Sequence, residues 1–133
     1  MKLFILFAFC LLGNGLMAQT KINDCSKLHE GNFLIKDPQN GNLLIERKKK
    51  HQIEIGDNGN VVLKIKIKWT DDCHYQLIGM KVIKAPNKKE YQKQVKNSPT
   101  IFVEITEVTP QYHKIRCTLE GQKEPLFFTI WNR

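Results

Sequence analysis

The sequence predicts a mainly β protein: one antiparallel meander of eight strands, closed into a small barrel or strongly bent, with one short helix near residues 87–96. Three observations carry this reading. Apolar and polar residues alternate with period two in segment after segment, which puts one kind of residue on each face of a strand. The segments are joined by short, turn-rich connectors, and parallel pairing would need crossovers of a dozen residues or more. One stretch alone, residues 84–99, loses the alternation.

The chain begins with a different signal. Lys2 is followed by an apolar run from Leu3 to Leu12, and then by Gly13 to Ala18 ahead of polar sequence. A charged start, an apolar centre and a small-residue junction predict a secretory signal peptide over 1–18, cleaved near Ala18. The run is shorter than the roughly 20 residues that span a bilayer. No second apolar run follows, so the mature chain, 19–133, is expected to be a single secreted or periplasmic β domain and not an integral membrane protein. Cys10 lies within the apolar run behind Phe9, where a lipid-anchored signal would carry a small residue, so it reads as filler.

Residues 31–36, 43–48 and 51–56 read as the first three strands. Asp37-Pro38-Gln39-Asn40-Gly41 separates the first two, and Gly56-Asp57-Asn58-Gly59-Asn60 follows the third. Asn-Gly supplies the positive φ values of tight hairpins. The fourth strand gives the cleanest pattern. In Val61 to Trp69, Leu63, Ile65, Ile67 and Trp69 point one way and Lys64, Lys66 and Lys68 the other. A helix would spread those lysines around its circumference. Residues 73–83, 101–107, 112–119 and 126–131 complete the eight. Between the fifth and sixth strands, Asn87 and Glu90 have the spacing of a capping box. Tyr91 and Val95 then share a helix face, and Ser98-Pro99 ends the helix. Phe102, Phe127 and Trp131 fall on the strand face opposite Val103, Phe128 and Ile130, and Tyr91 and Val95 are expected to cover them.

Three cysteines remain after the signal. Cys117 shares a strand face with His113, Ile115 and Leu119, so it points inward as a small buried hydrophobe. Cys25 precedes the first strand and Cys73 opens another after a turn. A Cys25–Cys73 disulfide is therefore expected, in keeping with an oxidising compartment and worth roughly 3–4 kcal/mol.

The pattern Cys25, Gly31-x-Phe33 and Trp69-Thr70-Asp71-Asp72-Cys73-His74-Tyr75-Gln76-Leu77 resembles small secreted proteins of unknown function from Bacteroidetes-type bacteria. The Met17-Ala18-Gln19 junction suits such exporters. Some of those proteins carry a DNA topoisomerase IV label. That activity takes a catalytic tyrosine, an acidic metal site and large DNA-gating domains inside the cell, which an exported chain of this length does not supply. The strand plan is also lipocalin-like, with Phe33 in Gly31-Asn32-Phe33 where lipocalins carry the Trp of Gly-x-Trp. Neither resemblance transfers a functional residue.

Metal ligation needs convergent side chains. Cys73 and His74 are adjacent on a strand and so face opposite ways; no metal and no cofactor is expected. Ser26 and Ser98 are the only serines, both in loops and outside any Gly-x-Ser-x-Gly setting, so a catalytic site is not expected. The chain holds 21 Lys and Arg against 13 Asp and Glu. Arg47-Lys48-Lys49-Lys50 forms a dense basic run at a turn, and Lys64, Lys66 and Lys68 a stripe on one strand face. Together they define a candidate surface for an anionic partner. Aromatic residues do not alternate with these lysines as single-stranded nucleic acid requires, so no nucleic-acid partner is expected.

An eight-stranded barrel is either filled by side chains or holds one small ligand. The large inward candidates are Phe33, Ile45, Ile65, Trp69, Tyr75, Leu77, Val103, Ile105, Leu119, Phe128 and Ile130. Of these, Trp69, Tyr75 and Phe128 are the candidate ligand contacts. The expected function is an exported, non-enzymatic binding module for a small apolar ligand or an anionic surface partner. The alternatives are a packed-core interaction or inhibitor protein acting through its loops, and a small hydrolase.

Overall fold

The computed structural model describes residues 24–133, so the signal-peptide expectation for 1–18 lies outside the described residues. All eight strands form: β1 Gly31–Ile35, β2 Leu43–Arg47, β3 His51–Gly56, β4 Val61–Asp71, β5 His74–Lys84, β6 Ile101–Val108, β7 Tyr112–Leu119 and β8 Leu126–Asn132. Each pairs antiparallel with the next, and β1 pairs with β8 through Phe33–Asn132 and Leu34–Trp131. The sheet is therefore a closed barrel, and closure leaves no first or last strand edge unpaired. The Asn-Gly turns behave as their chemistry demands: Asn58, Gly41 and Gly59 all have positive φ.

The β4–β5 ribbon is long and irregular. Ile65 pairs with Met80 and Lys66 with Ile78, leaving Gly79 as an extra residue. Its φ of +65° is one that a side chain would strain, so this bulge belongs to glycine. Such a bulge bends the ribbon and helps it curl into the barrel wall.

Among the described residues one α-helix, α1 (Lys88–Val95), forms where alternation fails. Two details differ from expectation. Asn87 takes left-handed backbone (φ +51°) and its side chain makes no cap, because a capping side chain needs the extended geometry that points it at the first turn. Nor does α1 cover the outer aromatics. β5 pairs with β6 only over His74–Leu77, so the far half of β5 has no strand on that side. The helix lies along this free stretch, and the Gln92 Oε1 accepts the Val82 backbone N–H at 2.9 Å. A buried, unpaired N–H costs about 1–3 kcal/mol, which explains why the helix sits there. Phe102 and Phe127 remain exposed, Phe127 at 67%. Trp131 is covered instead by Tyr112, edge-on at 5.1 Å, and by the Lys36 ammonium at 4.0 Å.

Inside, the core follows strand parity. Phe33, Ile45, Ile65, Ile67, Tyr75, Leu77, Val103, Ile105, Ile115, Cys117 and Ile130 are buried in one cluster. One end of the barrel is closed by the segment before β1. A 3-10 turn, Ser26–Leu28, puts Leu28 into the core, and Cys25 is tied to Cys73 by a disulfide with Cα atoms 5.2 Å apart. His29 stacks on Trp69 with ring centroids 3.5 Å apart. Disulfides of this kind belong to oxidising compartments. Among the described residues no helix is long and apolar enough to cross a membrane.

Candidate functional site

Above the closed end the barrel is not filled. A cavity of about 460 Å³ runs up its interior and opens between the β1–β2 loop, at Asp37 and Asn40 to Asn42, and the β3–β4 turn at Asp57. This is within the size range of small-molecule sites, roughly 300–1,000 Å³. Its walls are apolar: Ile35, Leu43 and Ile45 on one side, Leu77, Ile101, Val103 and Ile115 on the other. Leu119, Leu126 and Phe128 complete the wall. Leu126 and Phe128 are partly open to solvent, Phe128 at 38%.

Four polar side chains interrupt the wall, and they form one chain of hydrogen bonds. Arg47 ends β2 with the parity of Leu43 and Ile45, so its side chain turns into the barrel and is 1% exposed. Its guanidinium donates from Nε to Gln52 Oε1 at 3.2 Å, from one terminal nitrogen to the Leu28 carbonyl at 3.0 Å and from the other to the Tyr75 hydroxyl at 3.1 Å. It also lies over the rings of Phe33 and Tyr75, 4.9 and 5.0 Å from their centroids. Gln52 Nε2 passes the chain on to Glu54 Oε1 at 2.7 Å. A buried guanidinium is tolerable only when its donors are satisfied and its charge is balanced. The network engages each of the three guanidinium nitrogens once, and the Glu54 carboxylate supplies the counter-charge two hydrogen bonds away.

The protonation chemistry follows from burial. Removal from water pushes the Glu54 carboxyl pKa up, against the downward pull of the Gln52 hydrogen bond and of Arg47. The Tyr75 phenol is likewise raised by burial. Cys117, on the facing wall, has its thiol pushed up to about 11 by burial and by the Glu54 charge. A thiol held protonated is a poor nucleophile. His113 lies at the closed end, wholly buried and edge-on to Phe33 at 5.2 Å. Neither ring nitrogen has a partner among the described residues, and burial lowers its pKa to about 3. It is therefore a neutral core residue. Among the described residues, no group of three His, Cys, Asp or Glu side chains is placed to hold a metal ion.

The sequence-derived candidates divide on this geometry. Tyr75 and Phe128 line the cavity. Trp69 does not. It is half-buried at the closed end, sandwiched between His29 and Tyr75, because strand β4 carries it past the cavity floor to where the 3-10 turn packs. Arg47 is not part of the basic surface run: alternation along β2 turns it inward while Lys48, Lys49 and Lys50, beyond the strand end, stay exposed. Lys64, Lys66 and Lys68 are exposed on one face of β4. Lys66 pairs with His51 and Lys64 with Lys81, so the stripe adjoins the 48–50 turn and continues onto β5.

Gln52 and Glu54 were not among the expected site residues. They share a parity with Gly56, opposite Ile53 and Ile55, and β3 turns this polar parity inward. The apolar alternation of β3 taken alone points to the wrong face. The register gave a usable signal: Ile45 of β2 faces Glu54 and Arg47 faces Gln52, and cross-strand partners share a face. Comparison of the chain with known proteins finds no matching family, no matching curated protein and no matching solved structure.

Proposed function

We propose that the mature chain is an exported, non-enzymatic binding module that holds a small, largely apolar ligand inside the barrel. The observation that carries this reading is the open cavity of about 460 Å³ with apolar walls and a single hydrogen-bonded polar chain at its floor. Sites for small molecules have this composition: mostly apolar lining and a few placed polar groups that set orientation. The Cys25–Cys73 disulfide and the charged-then-apolar start of the chain support export.

A packed-core scaffold would have filled this volume with side chains. A hydrolase would need a nucleophile, a base and a group orienting that base; the Cys117 thiol is buried and held protonated, and His113 has no hydrogen-bond partner among the described residues, so these two do not make such a set. The contiguous lysines on β4 and the 48–50 turn favour a second reading, in which an anionic partner binds the outside of the barrel. The two are separable by experiment. Native mass spectrometry of protein purified from the exported fraction, beside a denatured sample, is expected to reveal a small mass released on denaturation. Protein that carries no adduct and takes up no added apolar compound contradicts the ligand reading. Retention on a polyanion column that drops when Lys64, Lys66 and Lys68 are changed to Ser would favour the surface instead.

A further inference from the structure

The open end of the barrel carries an apolar lip. β8 starts there with Leu126, Phe127 and Phe128, exposed at 47%, 67% and 38%. Strand parity sends Leu126 and Phe128 to the cavity side, where both line its wall, and Phe127 to the outer side. A strand with water on its outer face ordinarily carries polar residues there, whereas the start of β8 is apolar on both faces. Phe102, exposed at 43%, extends the outer side. It pairs with Thr118 of β7, and Arg116 of β7 pairs with Phe127, so one strand separates the two phenylalanines. Clustered exposure of this kind marks an interaction site, where scattered single residues do not.

The same end is basic. α1 joins the end of β5 to the start of β6. Lys84 at the end of β5 pairs with Val62, close behind the Asp57 turn at the mouth, and Ile101 at the start of β6 lines the cavity. From residue 84 to 96, the exposed Lys84, Lys88, Lys89, Lys93 and Lys96 stand against Glu90 alone. Lys89, Lys93 and Lys96 recur at the spacing of one helix face. The β7–β8 connector adds Lys123 with Glu120 and Glu124, so the helix side of the mouth keeps a clear positive excess.

We infer that the open end of the barrel docks on an anionic phospholipid bilayer, with Phe127 and Phe102 at the boundary between headgroups and acyl chains and the α1 lysines against the phosphates. Charge and apolarity together choose this occupant. An anionic bilayer attracts each nearby lysine and also takes up apolar side chains at its interface. A soluble polyanion meets the lysines and leaves the phenylalanines in water. A second copy docked lip to lip covers the phenylalanines and brings two basic helices toward each other. The docking stands on this surface; its use, passing an apolar ligand between bilayer and cavity, rests on the binding-module reading above.

The test is flotation of the disulfide-intact protein with vesicles of phosphatidylcholine alone and of equal parts phosphatidylcholine and phosphatidylglycerol. Binding to the mixed vesicles is expected to be at least about tenfold tighter than to phosphatidylcholine alone. Phe127→Ser is expected to weaken it by about tenfold, and so is the joint change of Lys88, Lys89, Lys93 and Lys96 to Gln. Circular dichroism checks that each variant is folded, and Phe102→Ser stands in should Phe127→Ser misfold. Absence of binding to the mixed vesicles overturns the inference and leaves the binding-module reading standing. Binding that Phe127→Ser leaves unchanged is capture by charge alone and overturns it too. So does binding lost on changing Lys64, Lys66 and Lys68 to Ser but kept without the helix lysines, which puts the contact on the outer wall of β4. A dimer in sedimentation velocity that Phe127→Ser dissociates gives the lip to a second copy, again against the inference. Vesicle binding with the expected losses, in a protein whose cavity takes up no apolar fluorophore, upholds the docking and overturns the binding-module reading instead.

Discussion

His113 gives the sharpest test of how the closed end is built. Its ring is 0% exposed, neither nitrogen is hydrogen-bonded among the described residues, and the Arg47 guanidinium is close enough to oppose a second positive charge. Burial first, and Arg47 second, hold its pKa at about 3, against 6.5 for an ordinary histidine. The unfolded chain therefore takes up a proton below about pH 6.5 that the folded chain refuses. Stability from this residue is fully present above pH 6.5 and is lost as the pH falls toward 3. At about 1.4 kcal/mol per pH unit, lowering the pH from 6.5 to 4.5 removes roughly 2–3 kcal/mol. His113→Phe keeps a ring against Phe33 and abolishes the titration. Urea unfolding of both proteins from pH 7.5 to 4.5 is the assay. The substitution shifts stability by some constant through packing, and that constant is removed by following the difference between the two proteins with pH. Asp24, Asp37 and Asp71, held low by their hydrogen bonds, lose stability in acid. Glu54, held high, acts in the opposite sense. All four titrate in both proteins and cancel. The difference is expected to move by roughly 2–3 kcal/mol in favour of His113→Phe on acidification. Parallel profiles would refute the buried, neutral assignment.

Three further outcomes follow from the same contacts. Reducing the Cys25–Cys73 bond, which spans 48 residues, is expected to lower unfolding stability by about 4 kcal/mol in the chain-entropy picture, measured by denaturant titration with and without reductant. Cys117, buried and with its thiol pKa near 11, is expected to resist alkylation at neutral pH in the folded protein. It should react fully once the chain is unfolded, as mass spectrometry of the labelled protein would report. Arg47→Met strips Leu28, Tyr75 and Gln52 of their donor and leaves the Glu54 carboxylate without its counter-charge. Its cost in unfolding stability is expected to be about 3–5 kcal/mol, whereas a change under 1 kcal/mol would mean that the network contributes little to the fold.

Most of the fold was legible in the sequence because strand parity is a local property. The β4 segment reads directly: its lysines are exposed and its isoleucines buried. The helix existed where alternation stopped, but its packing partner was not readable. That depended on β6 leaving the far half of β5 unpaired, which is a matter of register between distant segments. The site was legible only in part for a related reason. Composition classed Arg47 with the lysines that follow it, whereas parity with Leu43 and Ile45 would have placed it inside. β3 presents its polar parity to the interior, and that inversion makes sense only once Arg47 is seen to need Gln52 and Glu54. Buried charge networks break the apolar-in rule where a binding site needs them, so a pattern-based reading errs at such places.

On the proposed reading the barrel interior, not its basic exterior, is the binding surface. The direct measurement is titration of a polarity-sensitive apolar fluorophore into three proteins. The first is the unaltered chain. The second is Leu119→Trp, which adds an indole to the cavity wall. The third replaces Lys64, Lys66 and Lys68 with Ser on the outer face of β4. Saturable one-to-one binding is expected for the first and third proteins and at least about tenfold weaker binding for the second, since the indole takes the ligand's volume. Binding that survives Leu119→Trp unchanged, or that disappears with the lysines, would contradict that reading.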